Sequence, residues 1–133
     1  MTVGPLHVIN EHWHGKHLVT RARVLLVRTS TPYVSLEQVV EHCTQLCEWL
    51  EGFDRSRLTL LSDLRLGPGR NDTGFERAMA PFRKRLLQGF RRAAVLVATP
   101  TGRLQIKRLA NDDKATIGTF VDEAEAHAYL DKA

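Results

Sequence analysis

The chain has 133 residues, 43% hydrophobic and 26% charged, with a net charge of +4 at neutral pH. One domain of that length can bury a real core, and the composition excludes a disordered chain. No apolar run approaches the ~20 residues of a membrane span, and the start, MTVGPLHVINEHWHG, lacks the basic-then-apolar pattern of a signal peptide. A cytoplasmic protein with no membrane insertion is therefore expected. The basic residues, 19 Lys and Arg against 15 Asp and Glu, are scattered and not interleaved with stacking aromatics. Nucleic acid is not the expected partner.

The first element is LHVINEHWH, followed by Gly15-Lys16 and HLVTRARVLLVRTS. A glycine first in a two-residue loop suits a hairpin turn. A turn there sets His14 opposite His17, Trp13 opposite Leu18, Ile9 opposite Ala22 and His7 opposite Val24. Trp13, Leu18, Ile9, Ala22 and Val24 then share an apolar face, and His12, His14, His17, Asn10, Arg21 and Arg23 share a wet one.

In TPYVSLEQVVEHCTQLCEWLEGF, Ser35 and Gln38 make a capping box. Leu36, Val39, Val40, Cys43, Leu46, Cys47 and Leu50 recur at helical spacing, and Gly52 marks the end. Cys43 and Cys47 belong to the apolar stripe, so two reduced core thiols are expected. RLTLLSDLRL reads as a central strand covered on both sides. A loop, GPGRND, leads to a helix over 74–88 that contains Pro81, which removes a backbone donor and predicts a kink. AAVLVAT (93–99) is a further buried strand, ended by Pro100. GRLQIKRLA is a short amphipathic helix and KATIGTF a last strand. Asp122 and Glu125 make a second capping box that opens a C-terminal helix. After the hairpin, strands alternate with helices, so right-handed crossovers predict an α/β domain with a mostly parallel sheet.

The element order, the size and the Asp72-Thr73-Gly74 at the start of the helix after the third strand resemble the STAS domain of SpoIIAA-like anti-sigma factor antagonists. The closing RRAAVLVATPTGRLQIKRLA…TFVDEAEAHAYL is similar to the divergent branch of that family. The resemblance implies a single STAS-like domain over 1–133. Its N-terminal β-hairpin leads into a mostly parallel sheet of four to five strands with about four helices. It also implies a non-enzymatic regulatory or scaffolding module. In family members that switch partners, a kinase phosphorylates the Ser beside the Gly of this motif; Thr73 stands in that place, which makes it the phosphoacceptor candidate. Here Arg70 and a Gly-Pro-Gly loop precede the motif, a departure from the family pattern.

Read from residues alone, Thr73 and Glu76 fit a capping box, with Asp72 as the alternative cap. Gly67 and Gly69 allow unusual backbone angles, and Pro68 stiffens the turn. Asp63 and Arg65, near the end of the central strand, fit an ion pair. Arg77, Arg83, Lys84 and Arg85, continued by Arg91 and Arg92, form a basic face open to an acidic partner. His12, His14 and His17 are weak metal candidates, since an exposed hairpin tip gives them little supporting shell. No metal and no cofactor is expected. The expected function is binding of a protein partner, a regulatory kinase or other signalling protein, through 67–76, with self-association possible for an open sheet. The alternative is an anionic or lipid-like small ligand at the strand ends near Asp63, Arg65, Arg70, Asp72 and Thr73. A deep apolar pocket at that edge favours the ligand, and a flat or filled surface favours the partner.

Overall fold

In the computed structural model, residues 6–70, 72–112 and 116–132 are described. Four helices and a six-stranded sheet make an α/β fold. Strands β1 (His7–Val8), β2 (Trp13–Leu18), β3 (Arg23–Arg28), β4 (Thr59–Asp63), β5 (Arg92–Leu96) and β6 (Gly118–Phe120) lie side by side in chain order. The β1–β2 and β2–β3 pairs are antiparallel, and β3 to β6 run parallel. Helices α1 (Leu36–Glu51), α2 (Thr73–Leu87) and α3 (Pro100–Asp112) are the crossovers, and α4 (Glu123–Leu130) follows β6. Because each crossover steps one strand in the same direction, crossovers of one hand put all three helices on one face. That leaves the other face to α4.

Two cores result. On the crossover face Val24, Leu26 and Leu60 pack with Val39, Cys43, Leu46 and Leu50 of α1 and with Phe82 and Leu86 of α2. On the other face Leu61, Ala94 and Leu96 meet Ala126 and Leu130 of α4. Alternation along each strand sorts the side chains. Thus Val24, Leu26 and Arg28 of β3 turn one way, and Arg23 and Leu25 the other.

The hairpin differs from its expected form. Gly15 and Lys16 lie inside β2, paired with Leu26 and Leu25. The chain reverses instead through a 3-10 turn at Val19–Arg21 and at Ala22, whose φ of 51° is left-handed. The predicted pairing of His14 with His17 is therefore absent; His14 faces Val27 and His17 faces Val24. The glycine serves packing. A Cβ on Gly15 would sit 2.4 Å from the Trp49 ring, so the indole lies directly on the strand backbone. The first predicted strand also splits in two, β1 and β2, which adds the sixth strand.

Ser35 caps α1 by accepting from the Gln38 N–H. Gly52 follows its last turn in a right-handed conformation, so no left-handed glycine closes it. Pro100 opens α3, a position where its missing N–H leaves no helical bond unmade. Asp122 caps α4 by accepting from Glu125 N–H. Helix α2 is continuous through Pro81. Cys43 and Cys47 are free and buried, as expected of core thiols, and burial pushes the Cys47 thiol up to about 11. Lys114 and Ala115 of the predicted last strand lie outside the described residues. Among the described residues no helix is long and apolar enough to cross a membrane.

Candidate functional site: a pocket over a buried arginine

The C-terminal ends of β3, β4 and β5 open on the crossover face. There α2 and α3 stand apart and leave a pocket of about 410 Å³. Its walls are mostly apolar: Phe75, Met79 and Leu86 from α2, Ile106 and Leu109 from α3, and Val95 and Val97 from the sheet. This is the size range of small-molecule sites. The loop Gly67–Arg70 forms part of the rim, and Arg28, Tyr33 and Trp13 form one wall.

Arg28 is the charged group of that wall. It ends β3 on the same side as Val24 and Leu26, and it is only 8% exposed. Its guanidinium carbon lies 4.6 Å from the Tyr33 ring centre and 5.9 Å from that of Trp13. The rings are themselves tied, since Trp13 Nε1 donates to the Tyr33 hydroxyl at 2.8 Å. Arg28 Nη1 donates to the carbonyls of Thr29 and Thr31 at 2.6 and 2.9 Å. Its Nε and Nη2 have no acceptor, and no carboxylate pairs with it, among the described residues. Burial lowers its pKa from the usual arginine value, and burial raises that of Tyr33. A guanidinium stays protonated even so. The pocket thus has a mostly apolar body and, in Arg28, a buried positive charge with no carboxylate partner among the described residues.

Gly67 makes room for this arginine. A Cβ there would meet Arg28 Cγ at 2.7 Å. Its value is the close approach, since among described glycines only Gly89 has a positive φ. Gly69 faces open space. The backbone angles expected of these two glycines are therefore not what the loop uses.

The other predicted residues fall around the rim. Arg65 and Arg70 line the pocket, yet each already has an anion. Arg65 grips Asp63 with two bonds of 3.0 and 2.8 Å and reaches Glu123 at 2.8 Å. That bears out the ion pair read from the sequence. Arg70 holds Asp72 at 2.6 Å. Asp72, not Thr73, is the N-cap of α2, accepting from the Phe75 N–H at 3.2 Å. The Thr73–Glu76 capping box is not formed, because the helix begins at Thr73 itself and the residue before it has the extended angles of a cap. Thr73 is exposed and its hydroxyl makes no hydrogen bond among the described residues.

The basic face is broken up. Arg85 pairs with Glu51 at 2.6 Å. Arg92 belongs to β5 and packs on the Tyr129 ring of α4. Nor do the three histidines gather at a tip. His12 is fully buried, and His14 and His17 point to opposite faces of β2.

Arg28, Tyr33, Met79 and Ile106 were not singled out from the sequence. One signal was present: in RVLLVR an arginine takes the position two beyond Leu26 and four beyond Val24, inside an apolar stripe. No family model, curated protein or solved structure matches this chain.

Proposed function

We propose that the chain binds a small anion with an apolar body, its head on Arg28 and its tail between α2 and α3. The single observation behind this reading is a buried guanidinium, without a carboxylate partner among the described residues, in the wall of a mostly apolar pocket. An unpaired buried charge is costly, and a carboxylate or phosphate would offset that cost with charge-assisted, two-point hydrogen bonds. A long flexible tail suits walls of Phe, Leu, Ile and Met.

Titration calorimetry with laurate, decyl phosphate and uncharged dodecanol tests it. Laurate or decyl phosphate is expected to bind at least tenfold more tightly than dodecanol, and Arg28→Met to erase the difference. Equal binding of all three probes, unchanged in Arg28→Met, would defeat the reading.

A second reading keeps the STAS-like module, with a protein partner docking at 67–76. It is favoured by apolar side chains exposed beside that loop: Leu66, and Val34, Leu36 and Val40 before and at the start of α1, with Leu36 Cδ1 3.4 Å from where a Cβ on Gly74 would sit. Thr73 is open to a kinase there, and a phosphate would meet the free N–H groups of the first turn. Intact mass of the protein from its native host, before and after phosphatase, checks this. A mass that phosphatase does not change excludes the switch.

A further inference from the structure

A second cluster lies behind the Tyr33 wall of the pocket, where the loop between β1 and β2 meets α1. We propose that Glu11, His12 and His42 bind a divalent transition cation of the zinc class, leaving a fourth position to water. Among the described residues these three present ligand atoms within 4.8 Å of one another. The two ring nitrogens are closest: His12 Nδ1 lies 2.6 Å from His42 Nδ1.

The protonation of His12 follows from its partners. Its Nε2 faces the Pro32 carbonyl at 3.1 Å. A carbonyl only accepts, so Nε2 carries the hydrogen and Nδ1 keeps its lone pair. That is the ligating form, with the second nitrogen anchored on a backbone carbonyl as metal-bound histidines require. The ring is fully buried and stacked on Tyr33 at 4.1 Å, so it cannot turn. His42 then donates its Nδ1 hydrogen to His12. Coordination through both Nδ1 atoms needs only that His42 move that hydrogen to Nε2, with no change of charge. Tetrahedral ligands at zinc distances stand about 3.3 Å apart, so the half-buried His42 has to swing outward slightly.

The supporting shell is already built. Asn10 Oδ1 accepts from the N–H groups of His12 and Trp13, and Asn10 Nδ2 donates to the His42 carbonyl. One side chain thereby ties the backbones of both histidines together. The Glu11 carboxylate accepts from Gln38 Nε2 at 2.8 Å, and its carbonyl accepts from the Thr29 hydroxyl. An exposed carboxylate, a half-buried imidazole and a buried one give a cation a path in from solvent. The set differs from the histidines that the sequence suggested: only His12 is common to both.

The test uses the untagged full chain, stripped with a chelator. Zn²⁺ is titrated by calorimetry, and Co²⁺ is followed by its visible absorption. Roughly one ion per chain is expected, with the intense bands of a low-coordinate cobalt site. His42→Ala, at a half-exposed position that leaves the fold intact by circular dichroism, should weaken binding more than about 100-fold. Glu11→Gln should weaken it by about tenfold. His14→Ala should bind as the wild type does. No binding by the wild type overturns the site. So does undiminished binding by His42→Ala, or a loss in His14→Ala equal to that in His42→Ala.

Discussion

Strand β3 carries a buried arginine at each end, and the two are finished differently. Arg23, 1% exposed, turns to the α4 face. There it donates to Thr59 Oγ1 at 2.9 Å, to His127 Nδ1 and to the Asp131 carboxylate, each of these two at 2.5 Å. Arg28 turns to the crossover face and meets two backbone carbonyls and two rings, but no acid among the described residues. Of the two, only Arg23 has a carboxylate partner among the described residues. Beside the completed end lies only an open, shallow concavity that His127 and Asp131 line, and at the other end an apolar pocket stands open. The buried charge of Arg28, with no carboxylate partner among the described residues, is what the proposed anion site rests on.

The largest expected effect is at the completed end. Arg23→Ala removes a fully buried stem and strands Thr59 and His127, so it should cost about 2–4 kcal/mol of stability in urea unfolding. Arg28→Met should change stability by less than ~1 kcal/mol, because it replaces an unpaired buried charge by an apolar chain of similar length. If Arg28→Met cost as much as Arg23→Ala, Arg28 would be a structural group like its neighbour.

Acid should act on the completed end next. Burial, with Arg21 and Arg23 nearby, lowers the His127 pKa against the weaker pull of Glu123 and Asp131. The fold therefore favours neutral His127, the unfolded chain binds more protons, and stability falls as pH drops below about 6.5. The hydrogen bond from Arg23, followed by its charge, lowers the pKa of Asp131. That contribution is present above the unfolded value of about 3.9 and is lost as pH falls through the lower folded one. Urea midpoints at a series of pH values should show a first decline that His127→Gln reduces, buried His12 supplying the rest, and a second that Asp131→Asn reduces, Glu51 and Asp72 supplying the rest. A wild-type midpoint flat from pH 7 to 5 would contradict the assignment.

A smaller change sharpens the open end. Gly67→Ala places its new carbon against the Arg28 stem and should push the guanidinium aside. Laurate affinity should fall several-fold while the melting temperature moves little. Gly69→Ala, in open space, should do neither. Equal effects of the two would mean that the loop acts through backbone flexibility and not through room for Arg28.

The legible parts of this fold were those carried by local periodicity. The α1 stripe, both aspartate or serine caps at Ser35 and Asp122, and the buried runs of β4 and β5 are written in neighbouring residues. The hairpin is not legible in the sequence because glycine has two uses. Gly15 looks like a turn residue, and only Trp49, far along the chain, shows that it is a packing residue. The pocket was half legible. Its loop and the Asp63–Arg65 pair lie close in sequence. Its charge does not: Arg28 reads as the last residue of a strand until α2 and α3 enclose the space in front of it. His42 likewise sits on a helix whose pattern gives no reason to connect it with His12.

The helix start at the pocket rim gives the finest test. Asp72 does two jobs there, capping α2 through the Phe75 N–H and holding Arg70, whose guanidinium lies 4.9 Å from the Phe75 ring centre. The Arg70 bond and the Phe75 N–H both stabilise the carboxylate form, and its pKa is lowered accordingly. Asp72→Ala therefore has two consequences of opposite sign. The first turn loses its acceptor, so the melting temperature should fall by a few degrees. Arg70 loses its anion, so a second unpaired cation joins the rim, and laurate affinity should rise. Thr73→Ala, at a hydroxyl that bonds nothing among the described residues, should change neither quantity. A larger thermal loss in Thr73→Ala than in Asp72→Ala would return the cap to Thr73. A fall in laurate affinity in Asp72→Ala would show that the rim holds its ligand through the ordered loop and not through charge.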